Sequence, residues 1–346
     1  MERTRRIWRR GHASAGWYRQ RVSRPCARPA VNDLRLDVSA AVGETASLAA
    51  TYYPAGTPNP TVLVCLPGGT YNRAYWHLDV PGYPGYNFAE YVARHGYSVV
   101  AIDPLGTGDS TRPARDIALA DIAVALNCAV AQLPEITCST VPSIAVAHSL
   151  GGYLAILQQT TSACYAALAI LGCTNQHVAP LNLDPEFIAA AATPQGRAAL
   201  IDQFADMLPE PYMETSRDWL QSWFHLPDVP PAVVTADNLT TISVAPRCFS
   251  AAAIPGVTSI EAGLVDVPVF LGYGAVDVSP DPRAEAQFYR RSPDVTTVVV
   301  PGSAHCHNMA STRHQLWRRL LDWTAEQLGR PPPMRAARRP EEKPGS

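Results

Sequence analysis

Three residues far apart in the chain, Ser149, Asp277 and His305, are of the types that nucleophilic catalysis needs. A serine hydroxyl is a weak nucleophile near neutral pH, so it requires a base within hydrogen-bond reach and a third group to orient that base. Ser149 sits in Ile144-Ala145-Val146-Ala147-His148-Ser149-Leu150-Gly151-Gly152, an apolar run of strand character that leads into a helix. Ala147 and Gly151, two positions to either side, are small enough for a sharp strand-to-helix turn, which pushes the hydroxyl out of the sheet. Taken alone, the pattern fits equally well a buried strand followed by a serine N-cap.

The two partners strengthen the first reading. Asp277 comes three residues after the apolar run Val267–Gly274, and His305 follows the run Thr296–Val300 in Pro301-Gly302-Ser303-Ala304-His305. In a parallel sheet both would reach the edge at which Ser149 turns, and the chain order Ser, Asp, His is the one such an elbow uses. Singly, Asp277 suits a turn and His305 a loop, with Asp281 and His307 as rivals; together the three strand ends point to a triad. Acyl transfer also needs backbone N–H donors for the developing oxyanion. Gly69, in Leu66-Pro67-Gly68-Gly69-Thr70, and Leu150 are the expected donors, with Thr70 as alternative to Gly69, although a plain turn would use the same glycines.

The elements that must position these residues alternate. Asp33–Val38 and Ala46–Tyr53 read as an antiparallel pair, with Val42-Gly43-Glu44 as the turn. Short continuous apolar runs at 61–67, 97–103, 143–148, 165–172, 267–274 and 296–300 have the character of strands buried on both faces. Helical spacing is expected at 86–95, 116–133, 150–162, 283–291 and 313–328. The sum is a mostly parallel, doubly wound sheet of eight strands. Alternation stops between roughly Asn175 and Ala262, where helical stretches at 186–192 and 197–207 and an apolar cluster of Trp219, Trp223, Phe224 and His225 suggest an inserted cap over the C-terminal edge of the sheet.

A chain of 346 residues with 47% hydrophobic content can bury a large core, and its net charge of -2 implies no general attraction to nucleic acid or acidic membranes. Residues 1–28 hold nine arginines against one acid, Glu2, without apolar periodicity, and are expected to be a disordered tail like the Pro- and Arg-rich 331–346. No apolar run follows Arg5-Arg6 or Arg9-Arg10 as a signal segment would need, and no run is long enough to span a membrane. Eight cysteines lie scattered without a C-x-x-C pair, which reads as free thiols in a reduced, cytoplasmic setting with neither a disulfide framework nor a zinc site.

These motifs resemble the α/β-hydrolase fold superfamily, in its cap-bearing, single-domain branch, over roughly residues 31–330 with the cap at about 175–262. The resemblance rests on Ala147-His148-Ser149-Leu150-Gly151, on Pro67-Gly68-Gly69 and on Asp103-Pro104-Leu105-Gly106-Thr107-Gly108-Asp109-Ser110, which is similar to the family's Asp-x-x-Gly-x-Gly-x-Ser turn. Ala147 replaces the usual first glycine, and Pro67 stands where many relatives have His. The resemblance implies attack by Ser149 on a carboxylic ester, with His305 as base and Asp277 as orienter. Thioesters, lactones and carbon-carbon bonds beside a ketone use the same parts, and a ligand-binding homologue is the reading from another class. Epoxide hydrolases and haloalkane dehalogenases carry a carboxylate at the elbow, so Ser149 disfavours both. Thr70, His148, Trp219 and Trp223 are candidates to touch a small substrate with an apolar group. Tyr71, Arg73, Tyr75 and Trp76 could line the entrance, Arg73 either pairing with a substrate carboxylate or lying solvated. No metal cluster, Walker loop or dinucleotide fingerprint is read, so no cofactor is expected.

Overall fold

Why the central runs become strands is visible in how their side chains divide. In β3 (Val62–Leu66), Val62, Val64 and Leu66 enter one apolar layer while Leu63 and Cys65 enter the other, as the two-residue period of a strand requires. The same alternation runs through β4 (Ser98–Ile102) and β5 (Ile144–His148), so both faces must be covered by helices. Helices Leu119–Val130 and Leu150–Ser162 cover one face with Ile122, Leu126, Leu154 and Ile156. Helices Phe88–Arg94 and Arg313–Gln327 cover the other with Phe88, Val92, Trp317 and Leu320.

This computed structural model describes residues 31–57, 60–208, 211–214 and 216–329; the expected tails at 1–30 and 331–346 lie outside the described residues. With β1 (Asn32–Asp37), β2 (Ser47–Tyr53), β6 (Ala167–Leu171), β7 (Val269–Gly274) and β8 (Val295–Val300), the eight strands form one sheet in the order β1-β2-β4-β3-β5-β6-β7-β8. β2 runs antiparallel to both neighbours, and the remaining pairs are parallel. The order reverses between β3 and β5, so the loops after these two strands open a crevice at the carboxyl edge, the place where open α/β sheets bind ligands.

Several elements differ from expectation for identifiable reasons. The helix expected over 116–133 is two, Leu119–Val130 and Leu133–Thr137, because Pro134 begins a new first turn. Between β6 and β7 the chain passes through helices that open on prolines: Pro185–Ala190, Pro194–Ala205, Pro231–Asn238 and Pro246–Ala253. Asp184 and Thr193 cap the first two, accepting from the amides of Glu186 and Gly196. Only a 3-10 segment, Ala284–Phe288, forms where a helix over 283–291 is expected. Cys138 is disulfide-bonded, which departs from the expected free thiols, whereas Cys65, Cys128, Cys164, Cys173, Cys248 and Cys306 are free.

The Asp-x-x-Gly-x-Gly-x-Ser segment locks the loop after β4. Asp103, fully buried, accepts from the amides of Arg73 (2.6 Å) and Asp109 (2.9 Å) and pairs with the Arg73 guanidinium. Its carboxylate occupies the space beside Gly108, where a Cβ would lie 2.2 Å from Oδ2. Ser110 Oγ donates to the Asp103 carbonyl and accepts from Ala49 N, tying the loop to β2. Arg73 therefore serves an internal ion pair and is not open to a substrate carboxylate. Asp103→Ala removes the acceptor of two amides and leaves Arg73 only the exposed Asp109 (2.9 Å) and Asp33 (3.7 Å) as ion-pair partners, and is expected to cost about 3 kcal/mol in urea unfolding; a loss below about 1 kcal/mol would show that the pair carries no structural weight.

Candidate active site

Ser149 occupies the turn between β5 and helix Leu150–Ser162 at φ 54°, ψ -122°, a conformation that a residue with a side chain adopts only under constraint. Two contacts impose it. Ser149 N donates to the Leu171 carbonyl of β6 (2.8 Å), and Gly151 passes so close to β3 that a Cβ there would lie 2.7 Å from Leu66 O and 2.6 Å from Pro67 O. From residue 144 to 156 every residue is buried except Ser149, and from 62 to 71 every residue except Gly69. The accessible points of the two inner strand ends thus face one crevice.

Asp277 and His305 meet there. His305 Nδ1 lies 2.7 Å from Asp277 Oδ1, and the imidazole packs against Gly172, where a Cβ would come within 2.9 Å of Nδ1. Gly172 directly follows Leu171, the residue that holds Ser149 N, so serine and imidazole flank one strand end. Among the described residues neither Ser149 Oγ nor His305 Nε2 has a hydrogen-bond partner, and in free enzymes such contacts are often formed only around substrate.

The carboxylate of Asp277 is satisfied on both oxygens. Beside His305 it accepts from the amides of Gly274 (2.8 Å) and Val278 (2.7 Å), and His307 Nε2 lies 2.8 Å from Oδ2. Burial would raise its pKa, but the His307 charge and the hydrogen bonds from both histidines outweigh that and hold it below the usual carboxylate range. His307, a rival base by sequence, is thus a second partner of the same carboxylate. Asp281, the rival acid, accepts from the Arg283 and Ala284 amides in a turn.

The loop after β3 makes a turn in which Tyr71 N donates to Gly68 O (3.3 Å) and Thr70 takes φ 67°. For a β-branched residue that conformation costs on the order of 1–3 kcal/mol. The amides of Gly69, Thr70 and Leu150 have no acceptor among the described residues, and Leu150 begins a helix whose first N–H groups point outward. A Cβ at Gly69 would sit 3.5 Å from Leu150 Cδ1, so the two stretches of backbone adjoin. An apolar cavity of about 20 Å³ lies beside this loop, lined by Gly69, Thr70, Leu105, Leu150, Val244 and Cys248 among others.

A polar network from the β6–β7 segment reaches the same loop. Buried Arg217 stacks its guanidinium 3.5 Å from the Tyr71 ring centre and bonds Thr70 Oγ1, Thr70 O and the Asp237 carbonyl. Asp237, fully buried, accepts from Tyr71 Oη (2.7 Å) and faces His225 Nε2 (3.1 Å). His225, Asp237 and Cys306 have ligand-type atoms within 4.8 Å of one another. The Asp237 charge is already met by Arg217 Nη1 at 3.6 Å, and Tyr71 Oη lies between the carboxylate and Cys306 Sγ, so the donor set does not fit a bound cation.

A model of the alpha/beta hydrolase family matches residues 63–318. The chain belongs to that family. This alpha/beta hydrolase shares its fold with a monoglyceride lipase from Saccharomyces cerevisiae (14% identity, 88% of this chain and 97% of that one, TM-score 0.63). It is likewise similar to a thermophilic esterase from Thermogutta terrifontis (16%, 86% and 99%, TM-score 0.57) and a monoacylglycerol lipase from Paleococcus ferrophilus (16%, 81% and 99%, TM-score 0.59). No curated protein sequence matches it. Among its described residues no helix is long and apolar enough to cross a membrane.

Several residues of this hydrolase expected at the pocket lie elsewhere. His148 is fully buried, stacked 4.6 Å from the Tyr75 ring, with Nε2 2.9 Å from His305 O, so it supports the histidine loop instead of touching substrate. Thr70 is 3% exposed and turned toward Arg217. Tyr71, Tyr75 and Trp76 are core, not entrance. The expected aromatic cluster divides: Trp219 is 50% exposed with Trp223 edge-on beside it, Phe224 is buried near His305, and His225 belongs to the Asp237 network. The carbonyls of Trp223 and Phe224 accept from His305 N and Cys306 N at 3.0 Å. Sequence reading missed Arg217 and Asp237 entirely, as well as buried Glu285, whose carboxylate gathers Thr174, Asn175, Gln176 and Ser279 from the loops after β6 and β7.

Burial, reinforced by His305 and His307, pushes the pKa of His148 well below that of a free imidazole. The unfolded chain takes up a proton there as pH falls through about 6.5 while the folded chain does not, so stability drops on acidification from that point. Thermal midpoints measured from pH 8 to 5 are expected to fall below about pH 6.5, and His148→Gln to flatten the decline; equal slopes in both proteins would refute this linkage.

Proposed function

We propose that this protein is a serine hydrolase of carboxylic esters. The observation that carries the reading is the pairing of a strained, accessible Ser149 with a His305–Asp277 couple at the adjoining strand ends. In this reading Ser149 Oγ attacks the ester carbonyl and its proton passes to His305 Nε2. Asp277 fixes the Nδ1–H tautomer and stabilises the imidazolium. The carbonyl π electrons become an oxyanion held by the amides of Gly69 and Leu150. Collapse expels the alcohol, which takes the proton from His305. Water, deprotonated by His305, then attacks the acyl-enzyme, and the acid leaves as Ser149 regains its proton.

The chain between β6 and β7 acts as a cap in this scheme, since its Trp223 and Phe224 carbonyls hold the His305 segment. The cavity beside the oxyanion loop supports short acyl groups, because a space of about 20 Å³ admits little more than one water-sized group. Ester hydrolysis is also what the thermophilic esterase among the fold neighbours is named for.

Exposure to a fluorophosphonate, followed by intact-protein mass, is expected to give one adduct on the wild type and none on Ser149→Ala. Asp277→Asn is expected to lower kcat on p-nitrophenyl esters by roughly 10⁴-fold, because the wrong imidazole tautomer then faces the serine. Turnover is expected to fall with acyl length. A folded wild type that forms no adduct, or an Asp277→Asn variant with undiminished kcat, would overturn the assignment.

A further inference from the structure

We propose that Arg217 is a positioning residue for the oxyanion loop, holding Thr70 in the left-handed conformation that aims the loop's donor, the amide of Gly69 or its alternative Thr70, at the reacting carbonyl opposite Leu150. The proposal rests on the ester-hydrolase reading above. Its starting point is an anomaly: a threonine, whose branched Cβ disfavours positive φ, stands at φ 67° where glycine or asparagine would be at ease. Something outside the turn must hold it.

The holding group comes from 147 residues further along the chain. Arg217 Nε donates to Thr70 Oγ1 at 3.1 Å and Nη2 donates to Thr70 O, so one guanidinium grips the side chain and the carbonyl of a single residue. The grip is itself anchored. Nη1 donates to the Asp237 carbonyl at 2.8 Å, the guanidinium lies flat on Tyr71, and Tyr71 Oη donates to Asp237 Oδ2. Ile242 N adds a bond to Thr70 O at 3.1 Å. Rotation of Thr70 to negative φ would swing the peptide unit joining it to Gly69 and displace Gly69 beside it; that unit carries the Thr70 N–H, the alternative to Gly69 as an oxyanion donor. A planar fork with donors in three directions makes these contacts at once, which an ammonium cannot.

The predicted signature is a loss confined to the oxyanion. Arg217→Met is expected to lower kcat by about 10- to 100-fold with KM within about twofold, since misaimed donors weaken the transition state and spare ground-state binding. Affinity for a trifluoromethyl ketone, which forms a tetrahedral oxyanion on the serine, is expected to fall by a matching factor, while the pH–rate profile keeps its shape. Thr70→Gly in the Arg217→Met background is expected to recover part of the loss, because glycine accepts positive φ without strain. Should Arg217→Met not fold, Arg217→Lys, which keeps a positive charge beside Asp237, is expected to show the same losses.

A folded Arg217 variant with kcat and ketone affinity within about twofold of wild type would overturn the proposal, as would a double variant with no recovery. A wild type that takes up no fluorophosphonate would overturn both this inference and the ester-hydrolase reading. Normal labelling of the wild type together with an unaffected Arg217 variant would remove this inference alone.

Discussion

The turn at Ser149 is the constraint around which the rest of the molecule is arranged. A side-chain-bearing residue stays at φ 54° only when its surroundings leave no alternative, and here β6 holds its amide while β3 presses its carbonyls against Gly151. Both neighbours must therefore flank β5, which is what the sheet order provides. The reversal of that order between β3 and β5 opens the crevice into which Ser149 and Gly69 emerge. Strain, topology and access are one arrangement described at three scales.

Three buried carboxylates cluster around this edge, each stabilised by a different set of donors. Asp277 relies on two imidazoles and two amides, Asp237 on a guanidinium, a phenol and an imidazole, and Glu285 on four neutral donors. Each would cost several kcal/mol if left without donors in an apolar interior. Each also ties together segments distant in the chain, so these groups specify a single arrangement of loops that the apolar core would leave free.

What sequence made legible was whatever is written locally. Strands buried on both faces announce themselves as apolar runs, and the elbow by small residues around Ser149. Asp277 and His305 could be placed because each follows a strand end by a few residues. The remainder depends on partners far away. A tryptophan's type does not say which side of it meets water, and Trp219 is half exposed while Trp76 is wholly buried. His148 and Arg73 carry groups suited to a substrate, but their partners prove to be internal. Arg217 and Asp237 belong to a stretch without periodicity, and nothing in its spelling points back to Thr70. Helices expected from about 186 and 197 begin slightly earlier, at Pro185 and Pro194, because proline suits a first helical turn.

The long reach of the β6–β7 segment has a consequence for the order of assembly. In the loop after β3, Thr70 is held by Arg217 and Ile242 and Tyr71 bonds Asp237, while His305 is held by the Trp223 carbonyl at its amide and by Asp277 at its imidazole. Strands β1 to β5 can pair as soon as they are synthesised, whereas these contacts await nearly the entire chain. Contacts of high sequence separation close late because their loop entropy must be overcome first. The nascent protein therefore carries Ser149 before it carries the contacts that surround it, and the complete crevice arrives as one of the final events of folding.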